Sequence, residues 1–569
     1  MDTKKIPTPL PIGKSFFDRV IEDGAYYVDK TLFIKDLLDK GAQVTLCTRP
    51  RRFGKTLNQT MLKCFFENTA PFGGKNTRAL FNGFKIEKAG EQYLAHQGKY
   101  PVIFLSFKEA EADNFDITCY SFKNTIADEF RRHSYVKEKI AQTADLTKFE
   151  ELASGKGDIS IYRDSLRFLS GCLENYHGTK TVILIDEYDV PLQRSWLCGY
   201  YKEMIDFMRP LLGTALKDCP HLQFAVITGC LRIFKESIFT GLNNLDVISI
   251  LSDRYDEYFG FTQDEVDAML KYYGMESKTQ IVRDWYDGYL FGKTEVYNPW
   301  SSIQVVDKWE ENIDRFPAPY WSNTSGNDIV RELVNRADYK TKTELEILMA
   351  GEAIEKQICE DITYDEIFNS SNNLWNFLFF TGYLKKIGDG RQDEDDKLIL
   401  NLSIPNREVR YIYVTKIDEW FKERIQEKNF DTFFNAILTG DIETFRDELE
   451  ALLGASISFM DNAENFYHGF MAGILSRLDG YIVKSNRESG RGRSDLVMYA
   501  VNKREKAVIF ELKPAKKFQD LPAACEEALK QIEDNNYAAY WADEGYTDAN
   551  IIKYGIAFCG KNCEIKSNK

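Results

Sequence analysis

The chain has 569 residues, a formal net charge of −15 and an ordinary globular composition, with 44% hydrophobic and 28% charged residues. This length exceeds what one hydrophobic core organises and predicts three or four structural units. The acidic balance excludes a protein coated with basic surface, although a local basic groove needs only a few cations. The 39 phenylalanines and 31 tyrosines argue against a chain dominated by disorder.

The cysteines and the apolar runs bear on the compartment. Eleven cysteines are scattered without a C-x-x-C pair, which is typical of reduced thiols. The first residues lack the apolar core of a signal peptide, and no run of about 18 apolar residues indicates a membrane span. We therefore expect a cytoplasmic protein without a membrane partner.

The first region, residues 1–260, is predicted to be an α/β unit. Short helical stretches precede the apolar run QVTLCT, and further apolar runs follow as PVIFLSF, TVILIDEYD, FAVITGC and VISIL. These runs show no polar alternation and are separated by helical patterns. They indicate a parallel sheet that is covered on both faces.

The rest of the chain is predicted to form two further regions. Residues 261–455 are expected to be mostly helical with small strands. Residues 456–569 are expected to form a last α/β unit, in which a helix and three strands precede a second helix and a final strand.

Residues 49–56 end like a phosphate-binding loop. Gly54, Lys55 and Thr56 close the pattern G-x-x-x-x-G-K-[ST], but Arg49 stands where the pattern has its first glycine. A predicted strand precedes the loop and a predicted helix follows it, as the motif requires. Backbone N–H groups of such a loop hold phosphate oxygens, while the lysine reaches the phosphates and the threonine binds magnesium. The alternative is a chance match on a basic turn.

Two later strands offer partners for such a loop. TVILIDEYD, read as a neighbouring hydrophobic strand, supplies Asp186 for the magnesium shell and Glu187 as the base or water-positioning group. FAVITG ends at Thr228, which could sense the γ-phosphate or orient water. A solvated strand end and a hydroxyl that satisfies backbone are the alternatives. Arg232 and Arg254 are candidates for an arginine finger or for surface ion pairs.

A second constellation lies near the C-terminal end. Asp495 begins one predicted strand, and Glu511 and Lys513 lie two residues apart on the next, so that they share a face. A polar turn between the strands lets Asp495 and Glu511 converge. Two convergent carboxylates bind magnesium, which stabilises charge at phosphorus, and Lys513 would position or activate the nucleophile. The alternative is a solvated hairpin.

Several segments together resemble a known family. They read YYVDKT, TRPRRFGKT, LIDEYDVP, ITG, KESIFTGLNNL, YFGFT, WYDGY and VYNPWS. With the C-terminal acidic set, they resemble bacterial AAA-ATPase-like proteins that carry a C-terminal PD-(D/E)xK nuclease-like domain, over nearly the whole chain. The resemblance implies an α/β fold with a P-loop NTPase parallel sheet, a helical or winged-helix-like middle region, and an α/β restriction-endonuclease-like domain. Within that family Arg49 is ordinary.

The resemblance also implies ATP and Mg²⁺ as cofactors and assigns further residues. The predicted nucleotide-binding residues are Arg51, Arg52, Phe53, Gly54, Lys55, Thr56 and Thr228. The predicted metal ligands are Thr56, Asp186, Glu464, Asp495 and Glu511. The predicted catalytic residues are Lys55, Glu187, Asp495, Glu511 and Lys513. The predicted nucleic-acid contacts are Arg491, Arg493, Lys516 and Gln531, of which Gln531 resembles a helical glutamine of the superfamily. Lys517 belongs to the same local positive patch, for which a solvated basic surface is the alternative. His468 suits packing as well as chemistry, and VYNPWSS is expected to pack an aromatic residue.

Three functional hypotheses stay open. In the first, ATP binding and hydrolysis gate or drive a Mg²⁺-dependent nuclease that acts on nucleic acid, with DNA as the expected substrate. In the second, the chain is a signalling switch of the STAND type whose C-terminal region is an effector or binding module. In the third, the nuclease fold is inactive and binds nucleic acid. Assembly into a homo-oligomer is possible in each.

Overall fold

The structure is a computed structural model of the chain. It describes residues 7–74, 76–232, 238–239, 243–321, 330–331, 335, 338–360, 367, 370–427, 430–455, 464–489, 492–500, 502–535, 537, 541 and 545–568. Among the described residues, no helix has both the length and the apolar surface that crossing a bilayer requires. All eleven cysteines carry free thiols.

The described helices and strands follow the predicted order. The helices are α1 Phe17–Glu22, α2 Leu32–Lys40, α3 Lys55–Phe66, α4 Glu91–Leu94, α5 Phe115–Arg132, α6 Thr143–Ser154, α7 Ser165–His177, α8 Val190–Cys198, α9 Tyr201–Leu216, α10 Gln263–Tyr272, α11 Thr279–Tyr286, α12 Pro299–Glu311, α13 Tyr339–Met349, α14 Ser371–Phe380, α15 Arg407–Glu427, α16 Asp431–Thr439, α17 Ile442–Ala455, α18 Glu464–Leu475 and α19 Leu521–Asp534. The strands are β1 Val44–Thr48, β2 Val102–Ser106, β3 Thr181–Asp186, β4 Leu222–Gly229, β5 Leu245–Ile248, β6 Tyr289–Phe291, β7 Thr294–Val296, β8 Ile354–Gln357, β9 Lys385–Gln392, β10 Leu398–Ser403, β11 Tyr481–Ser489, β12 Gly492–Ala500, β13 Ala507–Pro514, β14 Ile551–Cys559 and β15 Asn562–Ser567.

The chain divides into two compact units. The first contains Met1–Ser325 and Ala353–Ile412, and the second contains Gly326–Glu352 and Tyr413–Lys569. The predicted boundaries at residues 260 and 455 do not coincide with these units. One reason is that Phe53 in the loop after β1 packs on Tyr289 and Phe291, with ring centroids 4.9 and 5.1 Å away. The segment after residue 260 therefore belongs to the core of the first unit.

A five-stranded parallel sheet organises the first unit. Its strand order is β2-β3-β4-β1-β5, and every residue of β1 and β3 is buried. Burial on both faces explains why these strands show no polar alternation. The carboxyl ends of β1, β3 and β4 lie at one edge of the sheet, since Cys47 pairs with Thr228 and Ile185 with Ile227. Polar side chains at that edge are thus brought together.

The middle of the chain adds helices and small antiparallel sheets. Strands β6 and β7 form a hairpin, and β8, β10 and β9 form a three-stranded sheet. Helix α10 begins with a capping box in which Thr262 and Glu265 satisfy each other's backbone N–H groups. The helical middle region is therefore as predicted.

The second unit is built on a mixed sheet of strand order β11-β12-β13-β14-β15. Strands β13 and β14 are parallel, and the other pairs are antiparallel. Helices α16, α17 and α18 cover one face, where Tyr467 stacks on Phe558 with a centroid distance of 4.2 Å. Helix α19 covers the other face. The predicted fold class is confirmed for both units.

A buried carboxyl group anchors the first turn of α15 in the first unit. Glu408 is fully buried and accepts hydrogen bonds from the Ser301 hydroxyl at 2.8 and 2.9 Å and from the Trp321 N–H at 2.8 Å. Burial raises the pKa of Glu408 to about 8, against the effect of these bonds. Burial therefore favours the neutral form of this carboxyl group in the folded protein.

We expect Glu408→Gln to remove a pH-dependent loss of stability. Because the pKa of Glu408 is higher in the folded protein, its contribution to stability is fully present below the pKa of the unfolded chain, near 4.5. This contribution is lost as the pH rises through the folded pKa of about 8. The upper limit of this loss is about 1.4 kcal/mol per pH unit. Thermal melting at pH 5.5, 7 and 9 should show the variant gaining on the wild type as the pH rises. Glu394→Gln, at an exposed site, should show no such trend, and equal trends in both variants would contradict the assignment.

Candidate functional sites

Three predicted residues meet around one carboxylate at the edge of the first sheet. Asp186 ends β3, Thr228 lies near the end of β4, and Thr56 is in the first turn of α3. The Thr56 hydroxyl donates to Asp186 Oδ2 and the Thr228 hydroxyl donates to Oδ1, both at 2.6 Å. Asp186 is fully buried. Burial and then the nearby Glu187 raise the pKa of Asp186, while the two hydroxyl bonds lower it.

The strand order corrects one detail of the prediction. Asp186 was expected on the strand next to the loop strand, but β4 lies between β1 and β3. Thr228 therefore sits between the loop and the acidic residue. Thr56 still reaches Asp186 because α3 crosses the sheet from the loop toward β3. Sequence order alone does not give the lateral order of parallel strands.

The Lys55 side chain is folded across its own loop. Its Nζ donates to the backbone oxygens of Arg49 and Pro50, each at 2.9 Å, and lies 3.5 Å from the Cys230 sulfur. Gly54 precedes α3 with a φ of 82°, and a Cβ at this glycine would meet no atom within 4 Å. The loop thus combines a left-handed glycine, an inward lysine and open space at the N-terminus of a 12-residue helix.

Arg49, at the position of the missing glycine, is part of the core. The residue is fully buried, and its Nη1 donates to the backbone oxygens of Thr48 and Ile248 at 2.8 and 3.0 Å. Its guanidinium carbon lies 5.2 Å from the ring centroids of both Phe259 and Phe291. Burial lowers the pKa of Arg49 to about 10. Arg49 therefore holds the base of the loop and does not face a ligand.

The other loop residues point in different directions. Arg51 Nη2 donates to the Gln193 side chain at 2.7 Å, and the Arg52 guanidinium lies 4.5 Å from the Trp300 ring centroid. Arg52 has a φ of 71°, so a non-glycine residue occupies the left-handed region there. The Phe53 ring is fully buried, and any contribution of Phe53 to phosphate binding comes from its backbone N–H. Contact of the two arginines with phosphate stays a prediction.

Two acidic residues follow Asp186 on a strained turn. Glu187 has a φ of 54°, a conformation that is uncommon outside glycine and clusters at functional sites. Asp189 Oδ2 accepts the backbone N–H groups of Cys230 and Leu231 at 2.7 and 2.9 Å. Burial raises the pKa of Asp189. This carboxyl group ties the turn after β3 to the loop after β4, which the sequence analysis missed although the motif DEYD contains it.

The candidate arginine fingers have other partners. Arg254 makes a two-pronged ion pair with Asp246, with both distances 2.6 Å. Arg232 Nη1 lies 3.6 Å from Glu360. The structure therefore favours the ion-pair alternative for Arg254.

The first site fits a nucleoside triphosphate with a divalent cation. Its donors are the backbone N–H groups at the start of α3 and the Lys55 ammonium, which suit phosphate oxygens. The Thr56 hydroxyl and the Asp186 carboxylate supply the oxygen chemistry that Mg²⁺ prefers. No side chain fills the space beside Gly54.

The second site lies on the α19 face of the C-terminal sheet. Asp495 Oδ2 accepts the Leu512 N–H at 2.8 Å, and Gln531 Nε2 donates to Glu511 Oε1. The antiparallel register pairs Leu496 with Phe510, which places Asp495 beside Glu511. The predicted convergence of the two carboxylates is therefore present in the structure.

The structure shows how the second site is supported. A Cβ at Gly555 of β14 would lie 2.6 Å from the Leu529 nitrogen and 2.7 Å from the Cys525 oxygen of α19. This close approach brings α19, and with it Gln531, onto the sheet at Glu511. Gln531 thus contacts a carboxylate, whereas contact with nucleic acid was predicted. No local pattern around Gly555 indicates this role, because the glycine and the helix that approaches it lie in separate segments of the chain.

His468 supports the other carboxylate. Its Nε2 lies 2.9 Å from the Asp495 backbone oxygen and 3.1 Å from the Ser485 hydroxyl. A carbonyl oxygen only accepts, so Nε2 carries the proton and donates. His468 therefore holds the backbone of β12 at Asp495, which is the structural role that the packing alternative describes.

The structure describes the lysines predicted at the second site but not all of its other predicted residues. Lys513 is partly exposed, and Lys516 and Lys517 are exposed beyond the end of β13. Arg491 and the side chains of Glu464 and Arg493 lie outside the described residues. Within the described part of the chain, no group of three or more His, Cys, Asp or Glu side chains is placed to hold a metal. The two carboxylates alone still offer oxygen ligands suited to Mg²⁺.

Two segments of the chain match known protein families. Residues 11–239 match the family described as Predicted AAA-ATPase, and residues 462–568 match the PD-(D/E)XK nuclease superfamily. The resemblance stated from the motifs is confirmed by these two matches.

One curated relative comes from Azotobacter chroococcum mcd 1 and is named an uncharacterized protein in the vnfD 5′ region. It is 29% identical over 350 residues, which cover 61% of this chain and 59% of that protein. The chain thus spans under two thirds of this relative, whose printed name states no activity.

We expect Arg49→Gly, which restores the general loop pattern, to harm the protein. The change removes a buried guanidinium that satisfies two carbonyl groups and packs between two rings. The expected loss of unfolding free energy is about 3 kcal/mol, with no gain in nucleotide affinity. Urea unfolding and titration with a fluorescent ATP analogue measure the two quantities. Arg391→Gly, which replaces a surface arginine on β9, is the control, and a stabler or tighter-binding Arg49→Gly would refute the structural role.

We expect Gly555→Ala to disturb the second site through backbone overlap. The added methyl group collides with α19 backbone atoms, which cannot move as a side chain can. The expected cost is about 1–3 kcal/mol of unfolding free energy. Gly473→Ala in α18 is the matched control, because a Cβ there meets nothing within 4 Å. Urea unfolding of both variants checks this, and equal stabilities would show that α19 does not approach the sheet this closely.

Proposed function

Because the chain joins an AAA-ATPase-like segment to a segment of the PD-(D/E)XK nuclease superfamily, we propose that it binds and hydrolyses ATP in the first unit. We further propose that this cycle gates a Mg²⁺-dependent nuclease in the second unit, with DNA as its substrate. The observation that carries the proposal is the Asp186 carboxylate, which accepts hydrogen bonds from Thr228 and from Thr56, the residue that follows Lys55.

Different residues of the first unit are proposed to bind the phosphates and the cation of ATP. The N-terminus of α3 and Lys55 hold the phosphates, and Thr56 and Asp186 hold the cation. Bound Mg²⁺ draws charge from the phosphoryl oxygens. Thr228 keeps Asp186 oriented, because its hydroxyl occupies Oδ1 while Thr56 occupies Oδ2.

Glu187 is the group proposed to accept a proton from the attacking water. Its partly exposed side chain has no hydrogen bond or ion pair among the described residues, and its backbone is left-handed. A carboxylate without a structural partner on a strained turn suits a base that must face a water molecule. Asp186, by contrast, has both oxygens engaged by hydroxyl groups.

The second unit is proposed to cleave phosphodiester bonds. Asp495 and Glu511 would hold Mg²⁺, and Lys513, two residues along β13, would orient the nucleophile. The Leu512 N–H and the Gln531 amide fix the two carboxylates. Lys516 and Lys517 add positive charge for a phosphate backbone in a protein of net charge −15.

We expect three substitutions to separate the two activities. Lys55→Ala should weaken ATP binding by about 10- to 150-fold, since it removes a charged hydrogen bond to phosphate. Glu187→Gln should retain ATP binding and lose phosphate release. Asp495→Asn should abolish Mg²⁺-dependent cleavage of plasmid and linear DNA while leaving ATP turnover intact. The measurements are binding of a fluorescent ATP analogue, phosphate release and gel assays of cleavage with and without ATP.

Matched variants and alternative outcomes make this test decisive. Lys40→Ala and Asp548→Asn change exposed residues of the same types and should behave as the wild type. Tight ATP retention without turnover and without cleavage would support the STAND-type switch instead. Binding of DNA without cleavage under any metal condition would support the inactive nuclease fold. Cleavage that persists in Asp495→Asn would place the nuclease site elsewhere.

A further inference from the structure

A short loop beside the second site presents an aromatic ring to solvent. Ala515 and Leu521 are buried, each 3% exposed, and pack in one small cluster with Cys525 and Ala557. All five residues between these anchors, with the sequence KKFQD, are exposed. Phe518 at the centre of this loop is 67% exposed. The anchors hold the two ends of the loop and leave the ring outside the core.

Both ends of the KKFQD loop are tied to the candidate nuclease site. The loop leaves β13 directly after the strand that carries Glu511 and Lys513, and the Ala515 N–H donates to the Phe558 oxygen at 2.7 Å. The loop then enters α19, whose Gln531 donates to Glu511. A strand rises about 3.3 Å per residue, so Lys516, the fifth residue after Glu511 and the first of the loop, lies roughly 17 Å from Glu511 along the strand. The loop therefore lies within a few nucleotides' length of the carboxylates.

Two lysines precede the ring in the loop, and Gln519 and Asp520 follow it. Lys516 and Lys517 are exposed and make no ion pair with any described residue. Their charges stand out in a chain of net charge −15. A lone exposed aromatic side chain is ordinary, but an aromatic ring next to unpaired lysines meets the two needs of a nucleotide: lysines attract the phosphates and the ring offers a face for a base.

We propose that Phe518 is a stacking platform for an unpaired base, which makes single-stranded or locally unpaired nucleic acid the substrate class of the second unit. Bases inside a duplex stack on their neighbours and have no face to offer, so the ring gains little from intact duplex. This inference rests on the proposed nuclease function and adds to it the form of the substrate.

Binding by the full-length chain tests the role of the ring. Asp495→Asn serves as the parent, so that no substrate is cleaved, and anisotropy follows a fluorescein-labelled oligo-dT and a blunt duplex of equal length. Phe518→Ala in this parent should weaken binding of the single strand by about 5- to 150-fold, the value of one base stack. Phe518→Trp should retain it. Binding of the duplex should change less than about twofold.

A control variant and the contrary outcomes complete the test. Phe316→Ala removes a ring that is 90% exposed in the first unit and should leave both affinities at the parent values. Equal binding of the single strand by the parent and by Phe518→Ala would overturn the inference while the proposed nuclease stands. An equal loss for single strand and duplex would also overturn it. A parent that binds neither oligonucleotide would refute the nuclease proposal itself, and this inference with it.

Discussion

The requirement to satisfy one buried carboxylate organises the first unit. Asp186 has no exposed surface, so both of its oxygens need hydrogen bonds, and an uncompensated buried charge would cost several kcal/mol. The two hydroxyls that meet this need come from the helix after the loop and from the strand between β1 and β3. These two bonds hold the loop, β3 and β4 together at one edge of the sheet. Lys55 and Glu187 are placed at the same edge because they are the chain neighbours of Thr56 and Asp186.

The second unit satisfies its carboxylates by different means. A backbone N–H of the adjacent strand holds Asp495, and a glutamine on the covering helix holds Glu511. The helix reaches the sheet only because Gly555 offers no side chain. The geometry of this site thus depends on sheet register and helix approach, whereas the first site depends on hydroxyl groups. In both cases the acidic residues are fixed before any cation binds, which reduces the reorganisation that binding requires.

Arg49 replaces the first glycine of the phosphate-loop pattern with a buried, hydrogen-bonded side chain. The general pattern places glycine there, but this chain buries a guanidinium that bonds two carbonyl groups and packs between two rings. Those rings belong to Phe259 and Phe291, each more than 200 positions away in sequence. The same distant segment covers Phe53. The loop is therefore supported by the region after residue 260, which is why that region belongs to the first compact unit.

The sequence by itself determined the elements and the chemistry. Apolar runs without alternation predicted the buried parallel strands. Residue types at short spacing predicted the site residues Lys55, Thr56, Asp186, Asp495, Glu511 and Lys513. Both predictions were possible because periodicity and local motifs are properties of neighbouring residues. Tertiary structure alone decided the position of β4 between β1 and β3, the burial of Arg49, the bond from Gln531 to Glu511 and the raised pKa of Glu408. Each of these depends on which distant segments pack together, and packing is a property of the whole core that no local pattern encodes.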